Sequence, residues 1–574
     1  MLDWKTKTDE QIVKFLQDDN ARMVERRRSY EDLWKLENKV FRPRRTDLLR
    51  DQPKGKRFGA DIFSGRPALA MRKFNYGLLG YMAGKKDPWL QFGPERVKLL
   101  EDDDIRKYMQ EAAEQVLWGF NRSSFYAETP ACNEDACISA GVMVPDIEEA
   151  TGRVLFQTVH PGENYIERDA MGRTAVYHRW PYKLTAMAAV EKFGQDALGG
   201  EEAKIVKDAA GAENRSPLTE YEFLYCVYKN SEYRPGAIDS LSQKYITFYV
   251  QIGGQASGGR NARLVQKIGR RWLPIVNGQM WEPGESYPRG LAADALTAAL
   301  VGNKLREKQI RAAHMAVEGR TKASRTLRGK IQTSPGSTTY VNDPTDVLEI
   351  MNEKINWPIT DAESEKIAAE IDDWFFLPLF EMLTGREVLP DTAFLTAEMK
   401  AEKVVLMGPI IGSFEDRLLE PAVEIIFDNE QNNVVRRYGS YGRMPDPPQR
   451  LLDECGGRIE NIYVGQLAQI QRSVMRAQPI RESLEFIDRM GDRFPESMLI
   501  VNAKKMLEEG MRVTGLRQDL IYDERQVAER EKIMAEQQMA AEQAEIAERA
   551  ANVVPHISKK VEPGSVLGEL AGVS

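Results

Sequence analysis

The segment from Gly290 to Gln431 most constrains what this chain can fold into: it reads as helix, basic insert, helix, short loop and a third helix broken at Gly408-Pro409. Leu291 to Met315 is rich in alanine and leucine, and Ala292, Ala295, Ala299 and Gly302 recur at steps of three and four along one face. Such a stripe of small residues lets a neighbouring helix approach closely. A helix of this length spans about 40 Å, too tall for a connector within a small domain. The second helix is predicted to start at a capping box, Thr360 followed by Glu363, with Asp361 and Glu365 adding negative charge to its first turn. Ile367, Ile371, Trp374, Phe375 and Leu379 keep helical spacing, and Pro378 is expected to bend the far end. The first helix gathers Lys304, Arg306, Lys308 and Arg311 toward its C-terminus, where cations suit the macrodipole.

Run antiparallel, the two helices would set the basic foot of one level with the acidic head of the other. Lys304, Arg306, Lys308, Arg311, Asp361, Glu363 and Glu365 are therefore candidate contacts between copies in a ring. Between the helices lies a basic insert with Arg320, Lys322, Arg325, Arg328 and Lys330, then Pro335-Gly336 and the strand-like Ser337 to Val341. One reading is a solvated hairpin with salt bridges between subunits. The other is a docking surface or a ring of positive charge beside a polyanion, because copies around an axis multiply each residue's field. The two readings are compatible.

At 574 residues the chain exceeds what one hydrophobic core usually holds, so three or more substructures are expected. A net charge of −8 argues against a protein that grips nucleic acid over a broad basic face, although DNA can still pass close by. Cys132, Cys137, Cys226 and Cys455 form neither a disulfide framework nor a CxxC zinc pair, which fits a reducing, intracellular place of synthesis. No apolar run approaches the roughly 18 to 20 residues of a bilayer crossing, and the first residues lack a signal-peptide core, so no membrane targeting is expected.

Along the chain, Thr8 with Gln11 reads as a capping box heading a long amphipathic helix that ends before Arg42-Pro43. A helix is predicted from Pro67 to Met82, an extended turn over Lys85 to Phe92, and another helix headed by Glu101 to Asp104 and reaching Phe120. Gly141 to Pro145 and Arg153 to Val159 flank one turn signal, while Tyr165 to Glu167 and Ala175 to His178 flank a second, giving two successive hairpins. Leu184 to Phe193 returns to helix. Tyr221 to Tyr228, Tyr245 to Ile252 and Ala262 to Ile268 read as further strands, so residues 1–289 form a mixed α and β body. After the third helix, predicted from Thr396 to Asp428, come a linker with Pro445, Pro447 and Pro448 and helices from Gln449 onward. Gln518 to Ala550, dominated by Ala, Glu, Gln and Arg, favours a long solvated helix or loose coiled coil, followed by a mobile tail.

Catalytic signals are missing from this pattern. His160, His178, His314 and His556 stand in no HExxH spacing and read as structural. Neither Gly84-Lys85-Lys86 nor Gly329-Lys330-Ile331 has the rest of a Walker A motif, and Gly253 to Gly259 lacks a phosphate-binding lysine. Asp372-Asp373 would be the core of a metal-dependent nuclease, but adjacent acids on an amphipathic helix more often form a wet or interfacial face. No catalytic residue, metal or cofactor is assigned. A helical scaffold or adaptor without a DNA channel is the alternative structural class.

In order and spacing, these pieces resemble the portal, or head-to-tail connector, family of short-tailed bacteriophages. The resemblance rests on Gly80 to Phe92, Asn121 to Val144, His160 to Trp180, Thr396 to Asp428, Gly465 to Ala468 and Gly515 to Arg530. It implies an α+β portal architecture in which residues 1–289 and 396–480 form the wing, 290–315 and 360–383 the stem helices and 316–359 the clip. By the same resemblance 384–395 is the tunnel loop, where Gly385, Arg386 and Glu387 are DNA-channel candidates, and 481–574 is a helical crown with a tail. Arg386 either positions the duplex or pairs with Glu387 of a neighbour. The family further implies a homo-oligomeric ring of twelve subunits at one capsid vertex of the virion, made in the host bacterial cytoplasm. Its partners would be the major capsid protein, scaffolding protein, the terminase large subunit and tail adaptor proteins. Double-stranded DNA would pass through without being tightly bound.

Overall fold

The computed structural model describes residues 4, 7–43, 59, 61–96, 98–99, 102–148, 151–211, 215–235, 240–252, 262–317, 321–323, 347–349, 357–383, 403–431, 444–472, 530, 532–541 and 543–544. Helices and strands mix in one α+β chain that divides into two compact units. The first unit holds Met1–Gln91, Ala113–Met444 and Tyr463–Gln478, and the second holds Phe92–Ala112, Pro445–Ile462 and Pro479–Ser574. The helices are α1 (Asp9–Phe41), α2 (Arg66–Met82), α3 (Asp103–Arg122), α4 (Phe125–Ala136), α5 (Ala186–Phe193), α6 (Lys204–Ala209), α7 (Leu291–Val317), α8 (Trp357–Trp374) and α9 (Leu377–Leu383), followed by shorter ones. The strands are β1 (Leu90–Pro94), β2 (Gly141–Ile147), β3 (Val154–Val159), β4 (Asn164–Arg168), β5 (Thr174–Thr185), β6 (Glu220–Lys229), β7 (Tyr245–Gln251), β8 (Arg263–Arg270), β9 (Ile275–Asn277), β10 (Thr321–Ala323), β11 (Val347–Glu349) and β12 (Ile459–Tyr463).

The expected capping box starts α1. Gln11 N donates to Thr8 Oγ1 at 3.4 Å, and Thr8 N donates to Gln11 Oε1 at 3.2 Å. From there α1 lays Ile12, Val13 and Leu16, with Trp4, on one face of a five-stranded antiparallel sheet ordered β4-β5-β6-β7-β8. Successive strand residues point to opposite faces, so Leu224, Cys226 and Tyr228 of β6 meet α1. Phe223 and Tyr225 turn the other way, toward Phe193 and Tyr249. Both faces are covered, which explains why β6 reads as a nearly continuous apolar run. His178 sits in the α1 face: its Nε2 lies 2.8 Å from the Tyr228 hydroxyl and its Nδ1 3.3 Å from Asn20 Oδ1. Burial pushes its imidazole down to about 4, so it is a neutral core residue.

Arg27 ties α1 to the second hairpin. Its guanidinium donates to the carbonyls of Gly162 and Asn164, each at 3.0 Å, and stacks 3.9 Å from the Tyr165 ring centroid. At the end of α1, Arg42 pairs with Glu134 at 3.1 Å and with Asp135, which is 0% exposed. One turn earlier Glu37 is also fully buried, and among the described residues neither of its carboxyl oxygens has a hydrogen-bond partner.

The first hairpin forms β2 and β3, and β9 adds to the free edge of β2 to give the order β3-β2-β9. Trp89, Phe120, Phe125 and Phe156 pack beneath this sheet. The chain returns to that cluster late. Tyr463 stacks on Trp89 with ring centroids 6.3 Å apart, Val464 N donates to the Trp89 carbonyl at 2.7 Å, and a Cβ on Gly465 would sit 2.2 Å from the Met82 carbonyl oxygen. A second aromatic cluster of Phe41, Phe74, Phe375 and Phe380 joins α1 and α2 to the segment from α8 to α9.

In the second unit, Arg450 pairs with Asp102 at 3.0 Å and with Glu454 at 3.0 Å, on the helix Gln449–Cys455 that follows the prolines. The chain then forms β12, which pairs with β1, where only helices were expected. The segment 532–541 is helical and exposed along its described length.

Three boundaries differ from expectation. First, α8 begins at Trp357, so Thr360 lies inside the first turn rather than capping it. Pro358 supplies the helical φ of an opening turn, and a missing N–H there is no loss. Second, the far end of α8 is broken not at Pro378 but at Phe376, which adopts φ 52°. Pro378 instead occupies the first turn of α9. Third, beyond the expected break at Gly408-Pro409, the helix Gly408–Phe414 runs into π-helical turns over Glu415–Leu419 before Glu420–Gln431, with Glu420 N donating to the Glu415 carbonyl.

Candidate functional site

The small-residue stripe seats α7 in the body. Ala292, Ala295 and Ala299 are each 0% exposed. Gly290 opens the helix where a Cβ would lie 1.9 Å from the Cys137 carbonyl oxygen, and Ala292 N donates to that oxygen at 3.0 Å. Farther along, the Asn303 side chain accepts from Phe63 N at 2.7 Å and Ser64 N at 3.1 Å and donates to the Asp61 carbonyl at 3.0 Å. These bonds fix α7 to the loop that leads into α2. Arg66, at the start of α2, forms a two-pronged ion pair with Asp372 on α8. Both long helices are thus rooted on the same short segment.

Two contacts set the helix register. A Cβ on Gly302 would meet Ile367 at 3.0 Å, and Gln309 Nε2 donates to the Thr360 carbonyl at 3.2 Å. These contacts describe one antiparallel register, in which Lys304 is level with Glu365, Arg306 with Glu363 and Lys308 with Asp361. Within the chain these charges do not bond across. Lys304 and Arg311 both turn to Glu307 on their own helix, and the bond from Lys304 holds the Glu307 carboxyl below the usual range. Arg306 donates to Gln309 at 3.2 Å, and Glu363 pairs with Lys366 at 3.6 Å. Lys308, Asp361 and Glu365 are exposed. Among the described residues no ion pair joins the cations of α7 to the acids of α8, so both sets face outward at matched heights.

Beyond α7, strands β10 and β11 pair antiparallel, with Lys322 opposite Leu348. Arg320, Arg325, Arg328 and Lys330 lie outside the described residues, as do Gly385, Arg386 and Glu387. Asn303, Gln309 and Arg66 anchor the two helices through contacts that sequence reasoning missed, and Asp372, one of the adjacent acids read as an interfacial face, receives Arg66. Asn303 alone left a signal, a polar residue in an alanine-rich helix. Asp372 of the Asp372-Asp373 pair is occupied by Arg66, and among the described residues no cluster of three His, Cys, Asp or Glu is placed to hold a metal ion. Among them, too, no helix is long and apolar enough to cross a membrane.

Residues 15–521 match the family model described as bacteriophage head to tail connecting protein. The chain is 22% identical over 555 residues to a portal protein of Salmonella phage epsilon15, covering 94% of each chain. It is 22% identical over 549 residues to a probable portal protein of Bordetella phage BPP-1, covering 92% of each.

Proposed function

This chain belongs to the bacteriophage head to tail connecting protein family, and on that premise we propose that it is the subunit of a twelve-membered portal ring through which double-stranded DNA enters and leaves the capsid. Portal proteins of this family are structural and non-catalytic. In this reading 1–289 and 396–480 are the wing, α7 with α8 and α9 the stem, 316–359 the clip, 384–395 the tunnel loop and 481–574 the crown. The ring sits at one vertex of the virion against the major capsid protein, assembled with scaffolding protein. Its clip, with Arg320, Lys322, Arg325, Arg328 and Lys330, receives the terminase large subunit and later the tail adaptor proteins. Gly385, Arg386 and Glu387 approach the duplex.

The observation that supports this reading best is the outward display of opposite charge at matched heights on α7 and α8. A heterologous ring joins two different faces of the subunit, and the cations of α7 on one copy can meet the acids of α8 on the next at the same height. The net charge of −8 per subunit suits a conduit, because every phosphate neutralised by Lys or Arg adds affinity and slows passage. Charge reversal tests the lateral contact. Lys304, Arg306 and Lys308 changed together to Glu should leave a folded subunit and abolish rings in negative stain. Adding Asp361, Glu363 and Glu365 changed to Lys should restore them. Rings that survive the first set of changes refute the lateral pairing, and wild-type particles without an axial opening refute the portal reading itself.

A further inference from the structure

We propose that a cavity in the first unit, between the β2–β3 hairpin and the five-stranded sheet, binds a small monoanion with a flat apolar body, such as an aryl carboxylate. The cavity measures about 370 Å³, at the lower end of the roughly 300–1,000 Å³ usual for ligand pockets. Val144, Leu155 and Phe156 make its apolar wall, and Tyr182, Tyr225 and Tyr249 line the opposite side. The Tyr225 and Tyr249 rings, 5.0 Å apart at 40°, provide a surface for a planar guest.

Three cations reach the cavity, and two are already engaged. Arg179 donates to Glu163 at 2.8 Å. Arg270 donates to the Pro145 carbonyl at 3.0 Å and pairs with Asp146 at 3.5 Å. Lys192, on α5, lies 3.4 Å from the Tyr182 hydroxyl and 5.3 Å from the Tyr249 ring centroid, and among the described residues no carboxylate pairs with it. The Tyr225 hydroxyl is a second open valence: the residue is 3% exposed, and among the described residues its oxygen has no hydrogen-bond partner. A buried hydroxyl without a partner weakens the fold, and phenylalanine would pack as well. Among the described residues, one cation that no carboxylate neutralises and one hydroxyl without a partner, beside an aromatic floor, match a single anionic head on an apolar body. A dianion would find too little positive charge.

The site is tested on the full-length chain with 1-naphthoate as probe and 1-naphthalenemethanol as its neutral counterpart, followed by fluorescence titration. Wild type should bind one naphthoate per chain and favour it over the alcohol by about tenfold, the worth of one charge-assisted contact. Lys192→Met should weaken naphthoate by about tenfold and leave the alcohol unchanged. Tyr225→Phe should weaken naphthoate several-fold without lowering the thermal midpoint. Lys192 is exposed and Tyr225→Phe removes only the unpaired oxygen, so both variants retain the fold. No saturable naphthoate binding to wild type, or equal affinity of all three proteins for both probes, overturns the proposal.

Discussion

Replacing Glu37 by Gln should change how stability depends on pH, and the size of the change follows from its burial. Glu37 is 0% exposed on α1, and desolvation raises its carboxyl from 4.5 to about 8, with Arg289 nearby opposing and Asp294 reinforcing the shift. Below 4.5 the folded and unfolded chains both hold the proton, and the neutral carboxyl's contribution is fully present. Between 4.5 and 8 only the folded chain holds it, so stability falls by about 1.4 kcal/mol per pH unit as pH rises. Integrated from pH 5 to pH 8, wild type should lose about 3–4 kcal/mol relative to Glu37→Gln, which has no proton to release. Any cost of burying the amide shifts the Gln variant equally at every pH, so the slope carries the information. Urea unfolding of both full-length chains at pH 5, 6, 7 and 8 measures it. A difference between the two proteins that stays flat within about 1 kcal/mol across this range would refute the account, because it would mean that Glu37 is ionised or hydrated in the fold.

His178 has the opposite slope. Its imidazole is pushed from 6.5 to about 4, so its contribution is present above 6.5 and lost as pH falls toward 4. His178→Gln should flatten acid unfolding by about 3 kcal/mol over that window, measured by the same urea titrations. Arg42→Ala removes the guanidinium that pairs with the fully buried Asp135 and with Glu134, and should cost about 3–5 kcal/mol, read as a lowered urea midpoint at pH 7. Gly302→Leu should wedge α7 away from Ile367 and cost about 1–3 kcal/mol, appearing as faster hydrogen exchange across Trp357–Trp374.

Local signals were legible wherever a few neighbouring residues decide the structure. Thr8 with Gln11 specifies the start of α1 through bonds three residues apart, and the turn glycines mark both hairpins. The heights of Lys304, Arg306 and Lys308 against the acids of α8 are set by the contacts of Gly302 with Ile367 and of Gln309 with Thr360, which spacing along either helix does not fix. Long-range partners left no such trace. Asn303 bonds Phe63 across 240 positions and Arg66 meets Asp372 across 306, so even where a polar residue stands out in an apolar helix its partner cannot be read locally. Strands β9 and β12 are short segments recruited by an existing edge, without enough length to show a period of two. At Phe376 a left-handed backbone costs about 1–2 kcal/mol, and the packed rings of Phe375 and Phe380 on either side offset that cost. Proline was the visible sign at that bend, but the aromatic cluster places it.

The late return of Tyr463, Val464 and Gly465 to Trp89 and Met82 has a consequence for the chain as it is being made. A ribosome adding about 5–20 residues per second needs on the order of tens of seconds to synthesise the stretch between them. Throughout that interval the indole of Trp89, 1% exposed in the finished molecule, waits without its lid. Nascent chains stalled before residue 463 therefore present a sticky aromatic surface, and chaperone occupancy should drop once those three residues have cleared the exit tunnel.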